Sequence, residues 1–276
     1  MEQNIWISSR QNATVQAAVK LHEKKERTRS GTFCFEGVKL LKEAIFCGIP
    51  LRAVFVTSSC AEQTAALLEQ LDPSVQRFTV TQAVYDKLSL EKAPQGVFCI
   101  AAALDKTVKT VTMYEGASPA NSAVTEKIFL CENLQDPGNV GTVLRTAAAL
   151  GIDRLCLCGC AELYHPRVVR AAMGALFRQR IDLCTDAAAY LHSLRRAGYV
   201  PLAAMPRADG LRLGTDALPP AVVFAVGNEG HGLSAAAAQA CCGAVQIPMT
   251  PGSESLNAAA AAALLIWETV RQEEHT

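Results

Sequence analysis

No segment of this 276-residue sequence is long and apolar enough to cross a membrane as a helix. The longest apolar run extends from Ala258 to Trp267 and consists mostly of alanine, whereas a membrane-spanning helix needs about 18 apolar residues. The N-terminus also lacks the charged and then apolar pattern of a secretory signal peptide. We therefore expect a soluble, cytoplasmic protein.

The sequence has no excess of charge of either sign, because 26 lysine and arginine residues balance 26 acidic residues. This balance excludes a histone-like protein or one that binds nucleic acid through a basic tail, but it is compatible with a local basic patch. Half of the residues are apolar, which is enough for substantial cores and argues against general disorder. At about 150 residues per domain, the length predicts two domains.

The eleven cysteines lack the spacings of a zinc site. No Cys-x-x-Cys pair occurs, and Cys241 and Cys242 are adjacent, whereas the cysteine ligands of structural zinc sites usually occur in short, regularly spaced pairs. The odd number of cysteines also argues against a fully paired disulfide framework. We interpret them as buried or incidental thiols that behave as small apolar side chains, and we expect no metal site.

Residues 1–104 are predicted to form a first domain of the α/β class, because short apolar segments alternate with amphipathic ones in most of this region. Residues 105–125 lack strong periodicity and contain several glycine, serine and proline residues, so we interpret them as a linker. A cluster of basic residues near the N-terminus is either a solvated helix end or a patch that faces phosphates. Its members are Lys20, Lys24, Lys25, Arg27 and Arg29.

Residues 126–276 are predicted to form a second α/β domain, in which continuous apolar strands between helices indicate a parallel sheet covered on both faces. Three times an apolar strand is followed by a polar, glycine-containing loop and then by a helix. The loops cover residues 132–141, 227–234 and 247–257. Ligands of open α/β sheets bind at the carboxyl ends of the strands, and glycines allow close backbone approach. We therefore expect the three loops to form one composite site.

A nicotinamide-dependent dehydrogenase is a rival interpretation of the first loop. Gly138 and Gly141 follow a strand, and Glu162 comes at about the distance of the acidic residue in a dinucleotide-binding fingerprint. The Gly-x-Gly-x-x-Gly spacing is absent, however. The glycine pattern therefore does not favour this function.

The three loops resemble, in order and separation, the three motifs of the SpoU class of the SPOUT superfamily. Members of this class are S-adenosylmethionine-dependent RNA ribose 2′-O-methyltransferases. The matching segments run from Asp136 to Arg145, from Val226 to Leu233 and from Ile247 to Asn257. The segment 164–175 also looks like this family, and residues 27–44 are similar to its substrate-binding domain, which resembles certain ribosomal proteins.

This resemblance implies a C-terminal domain whose parallel sheet contains a deep trefoil knot, and a small, ribosomal-protein-like α/β domain before it. It implies S-adenosylmethionine as the cofactor and a homodimer formed through the C-terminal domains. The separate N-terminal domain favours ribosomal RNA as the substrate. The alternatives are ribose methylation of transfer RNA and a non-catalytic RNA-binding protein of the same fold.

The resemblance also assigns the site residues. Arg145 is expected to be the central catalytic residue, which holds the phosphate next to the target and stabilises developing alkoxide charge. Asn139 is expected to orient Arg145 or the substrate, and Glu229 to pair with Arg145 or to organise the second loop. Ser255 and Asn257 are expected to contact substrate or cofactor, although both are also plausible helix caps. The residues whose backbone groups are expected to hold the cofactor are Gly227, Ile247, Met249 and Leu256.

Overall fold

The structure is a computed structural model that describes residues 4–105, 107–115, 126–206, 209–250, 252 and 255–273. These residues form two compact units. The first unit contains the residues up to Leu104 together with Glu162–Phe177, and the second contains the rest. Among the described residues, no helix combines the length and the apolar character that a membrane crossing requires.

The first unit is built around a five-stranded mixed sheet. Its strands are β1 (Asn4–Ile7), β2 (Thr32–Glu36), β3 (Leu51–Thr57), β4 (Gln76–Val80) and β5 (Val97–Ala102). Its helices are α1 (Ala13–Lys20), α2 (Lys24–Ser30), α3 (Val38–Phe46), α4 (Ala61–Leu68), α5 (Gln82–Leu88) and α7 (Pro166–Ala172).

The strand order in this sheet is β1-β4-β3-β5-β2, with β5 antiparallel to both of its neighbours. Three phenylalanines from the central strands, Phe55, Phe78 and Phe98, pack together in one core cluster. Strands and helices alternate along this region, and the short strands β1 and β2 were not expected. Strands β1 and β2 form the two edges of the sheet. Both contain polar residues, and neither shows the alternation of apolar and polar residues that would predict a strand.

One member of the basic cluster is not on the surface. The side chain of Arg27 is only 4% exposed and forms an ion pair with Glu162. It also donates hydrogen bonds to the carbonyl oxygens of Leu21 and His22, at 2.7 and 2.8 Å. Arg27 thus joins two helices to the segment that carries Glu162, and it cannot face a phosphate.

The second unit is built around an eight-stranded sheet. Its strands are β6 (Val108–Val111), β7 (Ile128–Glu132), β8 (Arg154–Cys158), β9 (Arg180–Cys184), β10 (Val200–Ala204), β11 (Leu211–Arg212), β12 (Val222–Val226) and β13 (Gly243–Gln246). Its helices are α6 (Pro137–Ala149), α8 (Ala187–Arg196), α9 (Ala235–Ala240) and α10 (Ala258–Glu273).

The strand order is β11-β13-β10-β12-β7-β8-β9-β6, and all of the strand pairs are parallel. The predicted parallel sheet is therefore confirmed. The central strands β7, β8 and β12 are buried along their full length, including the charged residues Glu132 at the end of β7 and Arg154 at the start of β8. Because all strands run in one direction, the loops that follow them gather at one edge of the sheet.

Strand β9 was not expected, because Arg180 and Asp182 interrupt its apolar residues. Asp182 is 2% exposed and accepts hydrogen bonds from Arg154, at 3.1 and 3.2 Å, and from the hydroxyl of Tyr190, at 2.7 Å. The negative charge of Asp182 is thus compensated by Arg154 from β8 and Tyr190 from α8. These partners cannot be predicted from the sequence around Asp182. Residues 108–111 of the predicted linker form β6, while residues 106 and 116–125 of that linker lie outside the described residues.

Candidate active site

The three loops predicted to form a site lie at the carboxyl edge of the eight-stranded sheet. The first follows β7 and the second follows β12, its direct neighbour in the sheet. The third follows β13, which is separated from β12 by β10. The topology therefore brings the first loop to the same edge as two loops that follow it by about 90 to 120 residues in sequence.

The first loop is shaped by the start of α6. The carboxylate of Asp136 caps this helix by accepting hydrogen bonds from the backbone N–H groups of Gly138 and Asn139, at 2.6 and 3.0 Å. Pro137 occupies the first helical turn, where the absence of an N–H group is tolerated. This cap places Asn139 in the first turn, and its side chain is free to bond to residues outside the helix.

Asn139 connects the three loops. Its Nδ2 donates a hydrogen bond to Glu229 Oε1 at 2.8 Å, and its Oδ1 accepts one from Asn257 Nδ2 at 3.1 Å. Three of the five predicted catalytic residues, one from each loop, thus form a continuous hydrogen-bonded row. The expected roles of these residues stay predictions.

Asn257 has two structural tasks. Its Oδ1 accepts hydrogen bonds from the backbone N–H groups of Ala259 and Ala260, at 2.9 and 3.2 Å, and so caps α10. Its Nδ2 is thereby directed to Asn139. Ser255 is exposed, and no hydrogen bond of its side chain is found among the described residues, so Asn257 rather than Ser255 is the cap.

Arg145 lies on α6 six residues after Asn139, which places its Cα about 9 Å further along the helix axis. Its side chain is exposed, and it makes no hydrogen bond or ion pair with any other residue that the structure describes. Glu229 bonds to Asn139 and not to Arg145. Glu229 was expected to pair with Arg145 or to organise the second loop. The structure shows a contact of Glu229 with the first loop and no pairing with Arg145. The guanidinium of Arg145 stays available for a ligand.

The predicted cofactor residues lie in the second and third loops. Gly227 is buried, and a Cβ atom at this position would come within 2.1 Å of the carbonyl carbon of Gly232. A side chain there would therefore push the second loop apart. Ile247 and Met249 are half-buried just after β13, and the side chain of Leu256 is 40% exposed.

Two histidines that could be considered as bases have local structural contacts. His165 Nδ1 caps α7 by accepting a hydrogen bond from the backbone N–H of Arg167 at 3.1 Å. His231 Nδ1 lies 3.2 Å from Asn228 Oδ1 within the second loop. The pKa of His165 is lowered mainly by burial and to a smaller extent by the positive charge of Arg27. The lowered pKa favours the neutral ring, in which Nδ1 can accept this hydrogen bond.

Of the cysteines next to this edge of the sheet, Cys131 is buried and Cys160 is half-buried. Burial raises the pKa of the Cys131 thiol well above its ordinary value and that of Cys160 to about 12. All eleven cysteines are free. No group of three or more metal-ligating side chains is found within the described residues.

Sequence reasoning missed four residues that shape the second loop. They are Glu132, Asn133, Asn228 and Ser234, which connect the end of β7 with the loop after β12. Their only sequence feature is that they are polar residues at strand ends or loop ends, which many loops share.

Two family models match the chain. The SpoU rRNA Methylase family matches residues 126–267, and the MRM3-like substrate binding domain matches residues 12–99. The first match covers all residues of the predicted site.

Relatives of similar length support these matches. An uncharacterized tRNA/rRNA methyltransferase of Synechocystis sp. is 32% identical over 97% of this chain and 94% of its own length. The 23S rRNA (guanosine(2553)-2′-O)-methyltransferase RlmP of Bacillus subtilis is 28% identical over 95% of this chain and 97% of its own. The crystal structure of the SpoU methyltransferase AviRb from Streptomyces viridochromogenes in complex with AdoMet is 25% identical. It covers 96% of this chain and 99% of its own, with a TM-score of 0.81. The chain therefore belongs to the SpoU rRNA methylase family.

Proposed function

We infer that this chain is an enzyme that transfers a methyl group from S-adenosylmethionine to a ribose 2′-hydroxyl of ribosomal RNA. The observation that carries this function is the row of Glu229, Asn139 and Asn257, which joins the three family motifs at the carboxyl edge of the sheet. RNA methyltransferases acting on 23S rRNA are among its relatives of similar length.

The residues of the second and third loops fit S-adenosylmethionine. Gly227 is buried and has no side chain, so no side chain covers its backbone groups. The half-buried Ile247 and Met249 offer apolar surface next to backbone groups. Such a combination suits an adenosine moiety, which needs shape and a few hydrogen bonds. We assign the cofactor to the backbone groups of Gly227, Ile247, Met249 and Leu256. When bound, S-adenosylmethionine supplies an electrophilic methyl group on a sulfonium.

The task of the protein is then to hold the 2′-hydroxyl in line with that methyl group and to stabilise the charge that develops on its oxygen. Correct positioning alone can contribute about 7–11 kcal/mol. Arg145 suits the electrostatic task, because its guanidinium is a fixed cation with several donors and does not act as a base. We assign to it the phosphate next to the target ribose and the developing alkoxide.

Asn139, Glu229 and Asn257 keep the loops around Arg145 in one arrangement. Asn139 is itself held from two sides, so rotation of its amide would break both bonds. Ser255 is exposed in the third loop, where its hydroxyl can bond to substrate or cofactor. We assign these four residues, with Arg145, to the catalytic site.

The first unit contributes RNA binding in this proposal. The MRM3-like substrate binding domain spans most of it, and the lysines 20, 24 and 25 of the basic cluster are exposed. Arg29 is exposed as well but pairs with Glu26 at 2.5 Å, and Arg27 is buried. The three lysines are therefore the members of the cluster that suit contacts with phosphates.

We propose residues 1–104 as the RNA-binding domain, 105–125 as the linker and 126–276 as the methyltransferase domain. The methyltransferase domain would carry the deep trefoil knot and form a homodimer. An exposed apolar stripe on α10 supports the dimer, since Leu264 is 44% and Trp267 51% exposed on one helical face. We also propose a cytoplasmic location.

The test is a map of ribose methylation in total RNA from cells with and without the gene, together with methyl transfer by the purified protein. We expect one ribosomal RNA position to lose its methyl group. Loss of a transfer RNA methyl group instead would establish the alternative substrate. A folded protein that gives no heat with S-adenosylmethionine in calorimetry would be the non-catalytic RNA-binding protein.

A further inference from the structure

The last residue of β7 is a buried acid whose partners lie in the second loop. Glu132 is 6% exposed. Its Oε2 accepts a hydrogen bond from the backbone N–H of Ser234 at 2.7 Å, and its Oε1 accepts one from the hydroxyl of the same serine at 2.8 Å. Both carboxylate oxygens are thus occupied by one residue that is 102 positions away in sequence.

Burial of the Glu132 carboxylate carries a free-energy cost, which its hydrogen bonds to Ser234 offset. A buried carboxylate is expensive unless it is paired or hydrogen-bonded, and no ion pair of Glu132 is found among the residues that the structure describes. A neutral side chain would avoid this cost. Ser234 is also the N-cap of α9, since its hydroxyl accepts a hydrogen bond from the backbone N–H of Ala237 at 3.2 Å. Glu132 therefore fixes the point at which the second loop ends and α9 begins.

The start of the second loop is held by the next residue of the chain. Asn133 has a left-handed backbone with φ of 56°, and its carbonyl oxygen accepts a hydrogen bond from Asn228 Nδ2 at 2.9 Å. Asn228 is also paired with Gly232 through backbone hydrogen bonds in both directions, at 2.9 Å. Two consecutive residues at the end of β7 thus hold both ends of the loop 227–234.

Glu229 lies between these two points of attachment. The loop contains three glycines, at positions 227, 230 and 232, and glycine backbones have a large conformational freedom that must be restricted on folding. An unrestrained loop would sample many positions of Glu229, and only some of them would reach Asn139. Rigid support of this kind decides how well a site is organised in advance.

We propose that Glu132 is a positioning residue, which holds the second loop through Ser234 so that Glu229 stays hydrogen-bonded to Asn139. Glu132 does not touch substrate or cofactor in this role. The kinetic part of the proposal rests on the methyltransferase function inferred above, but the structural part does not.

The test compares four single variants of the full chain. Glu132→Ala removes both bonds to Ser234, Ser234→Ala removes one of them, and Glu132→Gln keeps an acceptor for the backbone N–H and can donate to the hydroxyl. The matched control is Ser193→Ala, which removes an equally small hydroxyl. That hydroxyl is buried on α8 and accepts a hydrogen bond from the backbone N–H of Tyr114 at 2.7 Å.

We expect Glu132→Ala to lower kcat at saturating S-adenosylmethionine about 100-fold, as a displacement of about 1 Å can do, and to leave KM for RNA within about threefold. Glu132→Gln should restore most of kcat, and Ser234→Ala should fall between the two. Ser193→Ala should lower Tm without lowering kcat. If Glu132→Ala and Ser193→Ala reduce kcat equally at matched Tm, Glu132 has only a structural role and the proposal is wrong.

A second measurement separates positioning from general destabilisation. In a Glu229→Ala background, the additional change Glu132→Ala should alter kcat by less than about threefold, because the group that it positions is already absent. A full additional loss of kcat in the double variant would contradict the proposal.

Crystal structures of the Glu132→Ala and Ser193→Ala variants give a readout that needs no RNA. We expect the Asn139–Glu229 hydrogen bond to be lost in the first variant and kept in the second. An intact hydrogen bond in Glu132→Ala would overturn the proposal. If this bond is lost but the wild-type protein methylates no ribosomal RNA, the inferred function fails and the positioning role stands.

Discussion

Arg27 and Glu162 form an ion pair between residues that are 135 positions apart in sequence. The arginine is almost fully buried and the glutamate is 17% exposed at its side chain. The pair ties the junction of α1 and α2 to the segment before α7, within the first unit. A residue that the sequence groups with exposed lysines therefore belongs to the core of this unit.

We expect Arg27→Met to destabilise the protein by about 3–5 kcal/mol, because removing one partner of a buried ion pair leaves the other without compensation. The control is Arg29→Met in the same helix, because the exposed pair of Arg29 with Glu26 is screened by solvent and should contribute little to stability. Urea unfolding measures both variants. If both variants lose the same small amount of unfolding free energy, the ion pair of Arg27 with Glu162 contributes little to stability.

Asn139→Asp should abolish most of the turnover without unfolding the protein. Aspartate keeps the oxygen that accepts from Asn257, but it replaces the donor to Glu229 with a second negative charge. Repulsion should displace Glu229 and lower kcat about 100-fold. Asn12→Asp is the matched control, because the side chain of Asn12 accepts a hydrogen bond from the backbone N–H of Thr14 at 2.8 Å and donates none to the residues that the structure describes. Wild-type kcat in Asn139→Asp would contradict the importance of the row.

Arg145→Lys keeps the positive charge but loses the planar set of donors. Removing one well-placed donor to a developing oxyanion costs about 10²–10³ in kcat, and we expect a loss of this size here. The affinity for S-adenosylmethionine, measured by calorimetry, should stay close to wild type. The control is Arg196→Lys, an exposed arginine on α8. Unchanged turnover in Arg145→Lys would remove Arg145 from its proposed role.

His165 should make the protein less stable in acid. Its pKa lies below the ordinary value of 6.5, mainly because the ring is partly buried and secondly because Arg27 is positively charged. The stabilisation from the neutral ring is therefore complete above pH 6.5 and is lost as the pH falls through the lower pKa of the folded state.

His165→Asn retains a helix cap that does not titrate. The free energy of unfolding of this variant should decrease less than that of the wild type between pH 7.5 and 5.5, as measured in urea. His22, whose pKa burial also lowers, accounts for part of the remaining dependence. Parallel pH curves for variant and wild type would show that His165 does not contribute.

A homodimer through α10 should be sensitive to charge on its exposed apolar stripe. We expect Trp267→Glu to convert a dimer to a monomer in light scattering, because a charge buried without a partner at an interface is costly. Leu90→Glu is the control, since Leu90 is 56% exposed in the first unit. A monomeric wild-type protein would refute the proposed dimer, and a dimeric Trp267→Glu variant would place its interface elsewhere.

The sequence contains enough information to find the loops but not their contacts. Apolar strands followed by glycine and asparagine are visible locally, so the parallel sheet and the three loops could be predicted. The bond between Asn139 and Glu229 joins residues 90 positions apart, and no local pattern encodes which amide meets which acid. The same holds for Glu132 with Ser234. Buried charge such as Asp182 was missed because its partners lie on other elements.

The neighbouring positions of β7 and β12 in the sheet have a consequence for synthesis of the chain. Residues 129–131 pair with residues 224–226, so one edge of the apolar segment 128–131 of β7 has no partner until nearly a hundred more residues have left the ribosome. An unpaired apolar edge is a template for aggregation. We therefore expect truncated chains that end before β12 to be insoluble, and the newly made protein to need shielding by chaperones until its last strands arrive.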